Sequence, residues 1–436
     1  MTIQQIIDLL KVFNIVIMIV FSVFYFYQYA YIPLYWILSK KRKNRSMAEQ
    51  EPSSTNNDYA VLICARNEET VIPDLLRSIK AQTYDGGSVT AFVMADNCTD
   101  GTASAAERLG AVVYRRNDTS KIGKGYALDL LLKNIRRDYG DRFDGFFIFD
   151  ADNVLTPDFI KNMDRTIAEG HDIVMCYRNS KNYGDSWVSA GNGLWYMREN
   201  RYMNHTRSLL GLSCTVTGTG FYFSKKVAEE MGGWPYHTLT EDTEFSSDQI
   251  IKGRKIAYCP DAEVFDEQTS TLRQSWRQRL RWSRGYLQVL RKYGWKLIKG
   301  SLRGSFSCYD MTMSILPAFL LTTVSVAVNL TAAILIIVLG GDILEQAVSI
   351  LYVLLGACQA VFIIGLVSCI TEWKSIKATK ARKIGSIFTL PLFMLTYVPI
   401  AIESLFVNPS WKPIRHTVCM RDIEIRPEAE RIASGD

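Results

Sequence analysis

Phe146-Phe147-Ile148-Phe149-Asp150-Ala151-Asp152 joins a short apolar run to two carboxylates, and this stretch decides the class of fold. Four large apolar residues in succession are typical of a strand that is buried on both faces, as the strands of parallel sheets are. Three further apolar runs, at 59–64, 89–95 and 111–114, alternate with helix-like stretches at 70–80, 102–109 and 125–137. This alternation predicts an α/β domain with a largely parallel sheet.

Apolar regions flank this domain on both sides. Residues 12–38, 311–341 and 346–371 contain no charged side chain. Each region is longer than the roughly 20 residues that cross a bilayer as a helix. A fourth apolar stretch, 384–402, contains two prolines. The sequence therefore predicts one N-terminal span and two C-terminal spans, and it leaves open whether the fourth stretch crosses the bilayer, kinks or re-enters it.

Basic side chains predict the orientation. The cluster 40–45 directly follows the first span, and such clusters favour the cytoplasmic side. The aromatic residues within 31–36 resemble a membrane-interface belt and not the cleavage site of a signal peptide. The domain is therefore predicted to be cytoplasmic in a multi-pass protein of the cell membrane. The basic loop 374–383 should share that side, so a complete fourth crossing would place the basic tail 411–416 outside, against its preference.

Composition excludes several classes of protein. The net charge of +6 is modest, and the basic residues cluster beside apolar segments, which favours a bilayer surface over nucleic acid as a partner. No nucleic-acid-binding motif accompanies them. The nine cysteines form no CxxC pair and no Cys/His cluster, so neither a disulfide framework nor a zinc site is indicated.

The two carboxylates after the apolar run suit a divalent cation. Side chains alternate along a strand, so Asp150 and Asp152 should point the same way and share one hard cation, Mg²⁺ or Mn²⁺. Such a cation would bridge the phosphates of a nucleotide sugar and neutralise the departing diphosphate. The alternative is that the pair only forms a turn or caps a helix.

Two further motifs suit a nucleotide. Asp96 follows an apolar run, where it could accept a hydrogen bond from N3–H of a uracil ring or could cap the helix that begins near Thr102. Lys124 lies between Gly123 and Gly125 at a predicted helix start, where glycine allows close approach of the backbone and lysine can reach a phosphate. A helix start without any ligand explains the second motif as well.

A pair of acids offers a general base. In Thr240-Glu241-Asp242, Asp242 could deprotonate an acceptor hydroxyl, which would then attack the anomeric carbon from the face opposite the diphosphate. An inverting transfer needs one such base. The alternative is that these acids only stabilise a helix N-terminus through its dipole.

The most specific motif is Gln278-Arg279-Leu280-Arg281-Trp282. A helix puts Gln278, Arg281 and Trp282 on one face, where an amide, a guanidinium and an indole suit a pyrophosphate beside a sugar ring. The alternative is an interfacial helix with a snorkelling arginine and an anchoring tryptophan. Both interpretations can hold at once.

With these motifs in this order, the chain resembles the membrane-integrated family 2 glycosyltransferases, such as the cellulose, hyaluronan and poly-N-acetylglucosamine synthases. The resemblance covers nearly the whole sequence and implies a GT-A type, Rossmann-like cytoplasmic domain inserted between transmembrane helices. It also implies a role for each site residue. These roles are uridine binding by Ala65, Glu68 and Asp96, phosphate and sugar binding by Lys124 and Asp150, metal binding by Asp150 and Asp152, substrate binding by Glu241, base catalysis by Asp242, diphosphate binding by Gln278 and Arg281, stacking of Trp282 under the acceptor sugar, and an acceptor-site loop at Thr217, Gly218, Thr219 and Gly220.

The expected domain order places the transferase between two membrane regions. It comprises an N-terminal transmembrane helix (1–39), a basic and polar linker (40–57), the GT-A domain (58–268), amphipathic interfacial helices (269–308), a C-terminal transmembrane region (309–410) and a basic tail (411–436).

The expected reaction is inverting, processive transfer from a UDP-sugar to a growing polysaccharide that is extruded across the membrane. UDP-glucose is favoured over UDP-N-acetylglucosamine. Polar side chains such as Asn329 would line the polymer path, or would merely form helix contacts. The alternative reaction is non-processive transfer to a membrane lipid, as in the ceramide glucosyltransferases, whose Gln/Arg/Trp motif is similar. A transporter or scaffold is disfavoured because every acidic position expected for chemistry is filled.

Overall fold

The computed structural model describes residues 2–46, 55–316, 318–409, 416 and 418. Its first element is helix α1, Ile3–Ser46, which contains Pro33 and continues beyond the predicted end of the first span. Many apolar side chains in its N-terminal half are exposed, as expected for a helix that faces lipid. Near its other end, Tyr31 and Tyr35 are only 2% and 6% exposed, because the following domain packs against them.

A mixed sheet forms the centre of the domain. Its strands are β1 (Tyr59–Ala65), β2 (Val89–Asp96), β3 (Val112–Arg116), β4 (Gly145–Asp150), β5 (Val154–Leu155), β6 (Ile173–Ser180), β7 (Phe221–Ser224) and β8 (Ile256–Asp266). They lie in the order β3-β2-β1-β4-β7-β6-β8-β5. Neighbours from β3 to β4 are parallel, whereas β7 runs antiparallel to both β4 and β6, and β5 runs antiparallel to β8. The predicted apolar runs all form strands, so the α/β class is confirmed.

Helices of this domain pack against the sheet through apolar faces. They are α2 (Ile72–Lys80), α3 (Thr102–Arg108), α4 (Lys124–Tyr139), α5 (Phe159–Ala168), α6 (Trp187–Arg198), α7 (Thr206–Leu209), α8 (Lys225–Met231) and α9 (Glu241–Ile251), with a π-helix, Glu199–His205, between α6 and α7. In α2, for example, Ile72, Leu75, Leu76 and Ile79 recur at helical spacing and are all buried. The three helix-like stretches of the sequence correspond to α2, α3 and α4.

Long helices follow the sheet. They are α10 (Leu272–Leu302), α11 (Phe306–Ile315), α12 (Ala318–Val338), α13 (Ile343–Thr371), α14 (Lys380–Leu395) and α15 (Tyr397–Phe406). Within the described residues, three segments are long and apolar enough to cross a membrane, namely Ile3–Lys40, Ile350–Thr371 and Lys380–Phe406. Thr323–Val338 is a shorter apolar helix. The predicted apolar region 311–341 is thus divided between α11 and α12.

The pair α14–α15 packs on the α/β domain along much of its length. The hydroxyl of Tyr183 donates to Oγ of Ser386 at 2.6 Å, early in α14. Near the end of α15, Nε1 of Trp276 donates to Oε2 of Glu403 at 2.7 Å. The start of this apolar stretch is therefore hydrogen-bonded to the α/β domain, and its end is hydrogen-bonded to α10.

A buried ion pair connects helices α1 and α11 to the α/β domain. Arg207 of α7 makes two hydrogen bonds to Asp310 of α11, at 2.7 and 2.8 Å, and both side chains are at most 3% exposed. The hydroxyl of Tyr27 on α1 also donates to Asp310, at 2.8 Å. Buried charges persist when they are paired and hydrogen-bonded in this way. The pair holds α1 and α11 against the domain.

Candidate active site

One cavity of about 610 Å³ collects nearly all of the predicted site residues. Its floor is the carboxyl edge of the parallel strands, because Ala65, Asp96 and Asp150 end β1, β2 and β4. The predicted residues that line it are Ala65, Glu68, Asp96, Lys124, Asp150, Asp152, Thr217, Gly218, Glu241, Asp242, Gln278, Arg281 and Trp282. Thr219 and Gly220 do not line it.

At one end of the cavity, Asp96 is anchored by an arginine. Nη1 of Arg116 lies 2.6 Å from Oδ1 of Asp96, and Nδ2 of Asn97 donates to the same oxygen at 2.9 Å. Burial raises the pKa of Asp96, against the opposing effect of Arg116. Asp96 does not cap helix α3. At the start of that helix, the backbone N–H of Thr102 donates to Oδ1 of Asp100 instead.

Lys124 lies between two loops at the centre of the cavity. Its Nζ is 2.5 Å from Oδ1 of Asp150 and 2.7 Å from the carbonyl oxygen of Gly218. Burial disfavours the charge, but Asp150 and Glu241 raise the pKa of Lys124. Gly125, which follows Lys124, allows close approach of another part of the protein. A Cβ at this position would lie 2.0 Å from the carbonyl oxygen of Tyr236.

The two aspartates that follow β4 differ in their surroundings. Asp150 is partly exposed at 38% of its side chain, whereas Asp152 is buried and accepts a hydrogen bond from the backbone N–H of Glu267 at 2.9 Å. Burial opposes its ionisation, yet His416 and other nearby cations lower the pKa of Asp152. Thr219 supports the motif from behind, since its Oγ1 accepts from the backbone N–H of Asp150 at 2.9 Å.

A coupled pair of acids begins α9. Burial and the neighbouring Asp242 raise the pKa of Glu241 to about 7, while Lys124 and Arg281 act in the opposite direction. Burial also raises the pKa of Asp242. The two carboxylates share the same neighbouring cations, Lys124 and Arg281. Such an arrangement can keep the pKa of a proton-accepting group close to neutral pH.

Helix α10 presents the Gln/Arg/Trp stripe to the cavity. Nη1 of Arg281 donates to the carbonyl oxygen of Leu239 at 3.1 Å, and Oε1 of Gln278 is buried with no hydrogen-bond partner among the described residues. The ring of Trp282 meets that of Tyr196 edge-on, with centroids 6.5 Å apart. Arg279, which follows Gln278 in the motif, does not face the cavity. Its side chain is fully buried, with the guanidinium carbon 4.3 Å from the ring centroid of Phe393.

Two sets of residues in the cavity are absent from the sequence prediction. Arg178 pairs with Asp266, donates to the carbonyl oxygen of Thr217 at 2.8 Å and lies 4.1 Å from the ring centroid of Tyr196. Asp266 could have been found, since it ends an apolar strand as Asp150 does. Nothing local marks Arg178, which is a single charge within a strand.

The second set comes from the distant C-terminal segment. Nδ1 of His416 lies 3.0 Å from Oε1 of Glu68, and the backbone N–H of Val418 donates to Oε2 of Glu267 at 2.9 Å. Burial opposes the charge on His416, but Asp152 and Glu68 raise its pKa to about 10. The segment therefore brings a positive charge to an acidic part of the cavity. The rest of the basic tail lies outside the described residues.

Beyond Trp282 the cavity continues between helices α1, α11, α13 and α14. There it is lined by apolar and aromatic side chains from four helices. They are Phe21, Tyr25, Tyr29 and Ile32 of α1, Met311, Met313 and Ile315 of α11, Val361 and Ile364 of α13, and Met394 of α14. Tyr29 is 46% exposed, so this end opens to the surroundings of α1.

A mixed α/β sheet with carboxylates, a lysine and a Gln/Arg/Trp stripe at its carboxyl edge is the arrangement expected of a glycosyltransferase domain. The chain belongs to glycosyltransferase family 2, since residues 56–285, more than half of it, match the family described as "Glycosyltransferase like family 2". The predicted family and enzyme class are thereby confirmed.

The curated relatives include two kinds of synthase. The chain is 25% identical over 281 residues to the beta-monoglucosyldiacylglycerol synthase of Trichormus variabilis, covering 63% of this chain and 58% of that protein. It is 24% identical over 299 residues to the poly-beta-1,6-N-acetyl-D-glucosamine synthase of Staphylococcus epidermidis, covering 64% and 68%. The chain thus spans only 55–58% of the length of the glucosyldiacylglycerol synthases that it matches.

Among solved structures, the mannosyltransferase PcManGT from Pyrobaculum calidifontis, in complex with GDP-Man and Mn²⁺, has a similar fold. The TM-score is 0.54 at 16% identity, over 90% of this chain and 98% of that one. This likeness over nine-tenths of the chain confirms the predicted fold class.

Proposed function

We propose that this enzyme transfers a single sugar from a UDP-sugar, with inversion, to a hydroxyl group of a membrane lipid. The observation that carries the proposal is the shape of the cavity, which continues from Asp242 and Trp282 into a cleft lined by side chains such as Phe21, Ile315 and Val361. Acyl chains gain free energy from the aliphatic side chains of such a surface. The aromatic side chains of the cleft also suit stacking against sugar rings, which supports the second candidate function below. UDP-glucose is the favoured donor, with UDP-N-acetylglucosamine next.

Residues of the cavity have complementary tasks in this reaction. Asp242 would accept the proton of the acceptor hydroxyl, which then attacks the anomeric carbon. Lys124 and Arg281 would bind the diphosphate, and their fixed charges stabilise the leaving group as the bond breaks. The unpartnered amide of Gln278 would gain a partner from the bound donor.

Two carboxylates fit a divalent cation in this site. Asp150 and Asp152 both line the cavity and supply the hard oxygen ligands that Mg²⁺ and Mn²⁺ prefer. The described residues contain no group of three or more His, Cys, Asp or Glu side chains suited to hold a metal by themselves. Donor phosphates would have to complete the coordination. When bound, such a cation neutralises charge on the diphosphate.

A second candidate function is processive polymer synthesis. The match to poly-beta-1,6-N-acetyl-D-glucosamine synthases and the aromatic pair Tyr196 and Trp282 favour it. The polar residue expected in the polymer path does not line the cavity. Asn329 instead pairs with Asn14, with Nδ2 to Oδ1 distances of 2.9 and 3.0 Å in the two directions.

The contacts of the helix ends support a topology with three crossings. The C-terminal part of α1 lies beside the α/β domain, since the carbonyl oxygen of Tyr31 accepts a hydrogen bond from α7 at 3.4 Å, and the end of α13 does so too, since Glu372 accepts from the hydroxyl of Tyr177 at 2.9 Å. The start of α12 follows α11, which the Arg207–Asp310 pair holds against the domain. If α14–α15 lies along the domain instead of crossing the bilayer, the basic residues near 40, 380 and 416 share the cytoplasmic side, and the fourth apolar stretch no longer conflicts with the basic tail.

Reconstitution decides between the two acceptors. The purified full chain in proteoliposomes that contain diacylglycerol would be supplied with radiolabelled UDP-glucose or UDP-N-acetylglucosamine. A product with one sugar, extractable into chloroform and methanol, is expected. Long, solvent-insoluble polysaccharide that a glycanase degrades, with no labelled lipid, would overturn the lipid proposal and favour the second candidate.

A further inference from the structure

A polar cluster lies at the junction between the reactive part of the cavity and its apolar cleft. Nη2 of Arg198, the last residue of α6, donates to Oε1 of Gln28 on α1 at 3.1 Å. Nη1 of Arg198 pairs with Oε1 of Glu199, and the guanidinium carbon lies 4.5 Å from the ring centroid of Trp195. All four residues line the cavity.

Gln28 is the polar member of an otherwise apolar or aromatic stripe. Phe21, Tyr25, Gln28, Tyr29 and Ile32 recur at helical spacing along α1 and line the same cleft. The amide of Gln28 has protein partners at both ends, since its Oε1 accepts from Arg198 and its Nε2 donates to the hydroxyl of Tyr27 at 3.1 Å. Gln28 therefore orients the guanidinium of Arg198 at the wall of the cavity.

The charge pair in this cluster differs from the structural ion pairs of the protein. Arg207 and Asp310 are at most 3% exposed, are closed by tyrosine hydroxyls and do not line the cavity. The side chains of Arg198 and Glu199 are 10% and 23% exposed and face the cavity. Removing a pair from bulk water is costly, so a pair that faces a cavity is best explained by a ligand that hydrogen-bonds to it.

The backbone gives this wall an unusual form. Glu199 begins the π-helix, and Glu199, Tyr202 and Met203 all line the cavity. π-Helical turns are rare and occur frequently at functional sites. The α6 residues Trp195 and Tyr196 continue the same wall toward Trp282. The cluster is thus one helical turn from the aromatic residues around the reacting groups.

We propose that Gln28, Arg198 and Glu199 form the subsite that binds the polar headgroup of the lipid acceptor and selects an uncharged, hydroxyl-bearing headgroup over an anionic one. This inference rests on the proposed lipid acceptor. The one hydroxyl of diacylglycerol must reach Asp242, so the groups left for this cluster are the ester carbonyls beside it, which accept hydrogen bonds from the guanidinium of Arg198. The charges of Arg198 and Glu199 cancel. An anionic headgroup would meet the carboxylate of Glu199 with no uncompensated cation in the cluster.

The test compares two acceptors that both carry a free hydroxyl but differ in charge. Diacylglycerol and phosphatidylglycerol are supplied in mixed micelles to the full-length protein with a radiolabelled UDP-sugar. The wild type should prefer diacylglycerol. Gln28→Leu and Arg198→Gln should raise the KM for diacylglycerol at least about tenfold, because each removes hydrogen bonds made by or around a charged group. Glu199→Gln should shift the kcat/KM ratio several-fold toward phosphatidylglycerol, because Arg198 is then uncompensated.

Two readouts separate this subsite from a merely structural role. The KM for the UDP-sugar and the slow hydrolysis of donor without acceptor should stay within about twofold of wild type in all three variants. Arg254→Gln is the matched control, because it breaks the Arg254–Glu230 pair, which lies away from the cavity. This variant should leave the KM for both acceptors unchanged. Gln28→Leu keeps the apolar character of α1, so it remains informative if Arg198→Gln does not fold.

Each contrary outcome has a distinct meaning. If the wild type glycosylates diacylglycerol but the acceptor KM is unchanged in all variants, the subsite is wrong while the proposed function stands. A wild-type preference for phosphatidylglycerol also overturns the inference. If the wild type labels no lipid and makes only polymer, the proposed function fails and the subsite fails with it.

Discussion

The ammonium group of Lys124 lies 2.5 Å from Oδ1 of Asp150, which joins the start of α4 to the end of β4 in the centre of the cavity. This pair occupies the place where phosphates of a nucleotide sugar would approach the sheet. A bound diphosphate would therefore compete with Asp150 for the lysine, and a cation at Asp150 would relieve that competition.

Replacing Lys124 should weaken donor binding. Lys124→Gln removes the charge that faces the diphosphate and leaves Asp150 without its partner, so the KM for the UDP-sugar should rise about tenfold or more. Lys133→Gln is the control, because the side chain of Lys133 is 59% exposed on α4 and pairs with Asp129 away from the cavity. An unchanged donor KM in Lys124→Gln would show that the phosphates bind elsewhere.

Activity should require a divalent cation. EDTA should abolish transfer, and Mg²⁺ or Mn²⁺ should restore it, because Asp150 and Asp152 offer hard oxygen ligands beside the leaving group. Asp152→Ala should lose this restoration, whereas Asp141→Ala, with a side chain 76% exposed on the surface, should retain it. Full transfer by Asp152→Ala in the presence of EDTA contradicts the metal role.

Asp242 should act as the base. Asp242→Asn keeps the shape but accepts no proton, so kcat for transfer should fall by about 10² to 10⁴ while UDP affinity is retained. UDP binding can be measured by calorimetry beside the transfer assay. Asp248→Asn, later on the same helix, should transfer at nearly the wild-type rate. If UDP affinity collapses and turnover persists, Asp242 binds substrate and the base lies elsewhere.

The acid pair predicts the pH dependence. The pKa of Glu241 is raised to about 7 and that of Asp242 is raised as well, chiefly by burial, so the pair binds a proton as the pH falls through neutrality. Since the base must be ionised and the pKa of Asp242 is raised by burial, kcat/KM should decline on the acid side of neutrality and level off above it. Glu241→Gln removes the neighbouring negative charge and should move this decline to lower pH. A flat profile between about pH 5 and 8 would exclude the acid pair as the source of the base.

His416 should contribute to donor binding. It brings a positive charge within 3.0 Å of Glu68, beside Asp152, and without it these carboxylates repel the donor phosphates more strongly. His416→Ala should therefore raise the KM for the UDP-sugar several-fold, with little change in kcat. His171→Ala, at the surface beside Glu169, provides the control. A lower donor KM in His416→Ala would mean that the segment obstructs the site instead.

The sequence predicts strands β1 to β4 of the eight-stranded sheet and many of the residues that line the cavity. Apolar runs that end in an aspartate identify the strands, because only a strand buried on both faces needs such a run, and its carboxyl end is where ligands bind. Asp96 and Asp150 were found in this way, and Asp266 obeys the same rule. The helical period within the Gln/Arg/Trp motif put Gln278, Arg281 and Trp282 on one face, and all three line the cavity.

The neighbours of these cavity residues depend on the tertiary structure and are not predicted by the sequence. Arg178 and Gln28 lie far apart in the sequence, and no local period relates a charge within a strand or an amide within a membrane helix to a common cavity. His416 reaches Glu68 across 348 positions, a contact that depends on how the last helices lie on the domain. The apolar cleft arises because the buried Arg207–Asp310 pair holds α1 and α11 beside the sheet edge. Such packing energies are non-local, so composition predicts a membrane helix but not which of its faces meets the active site.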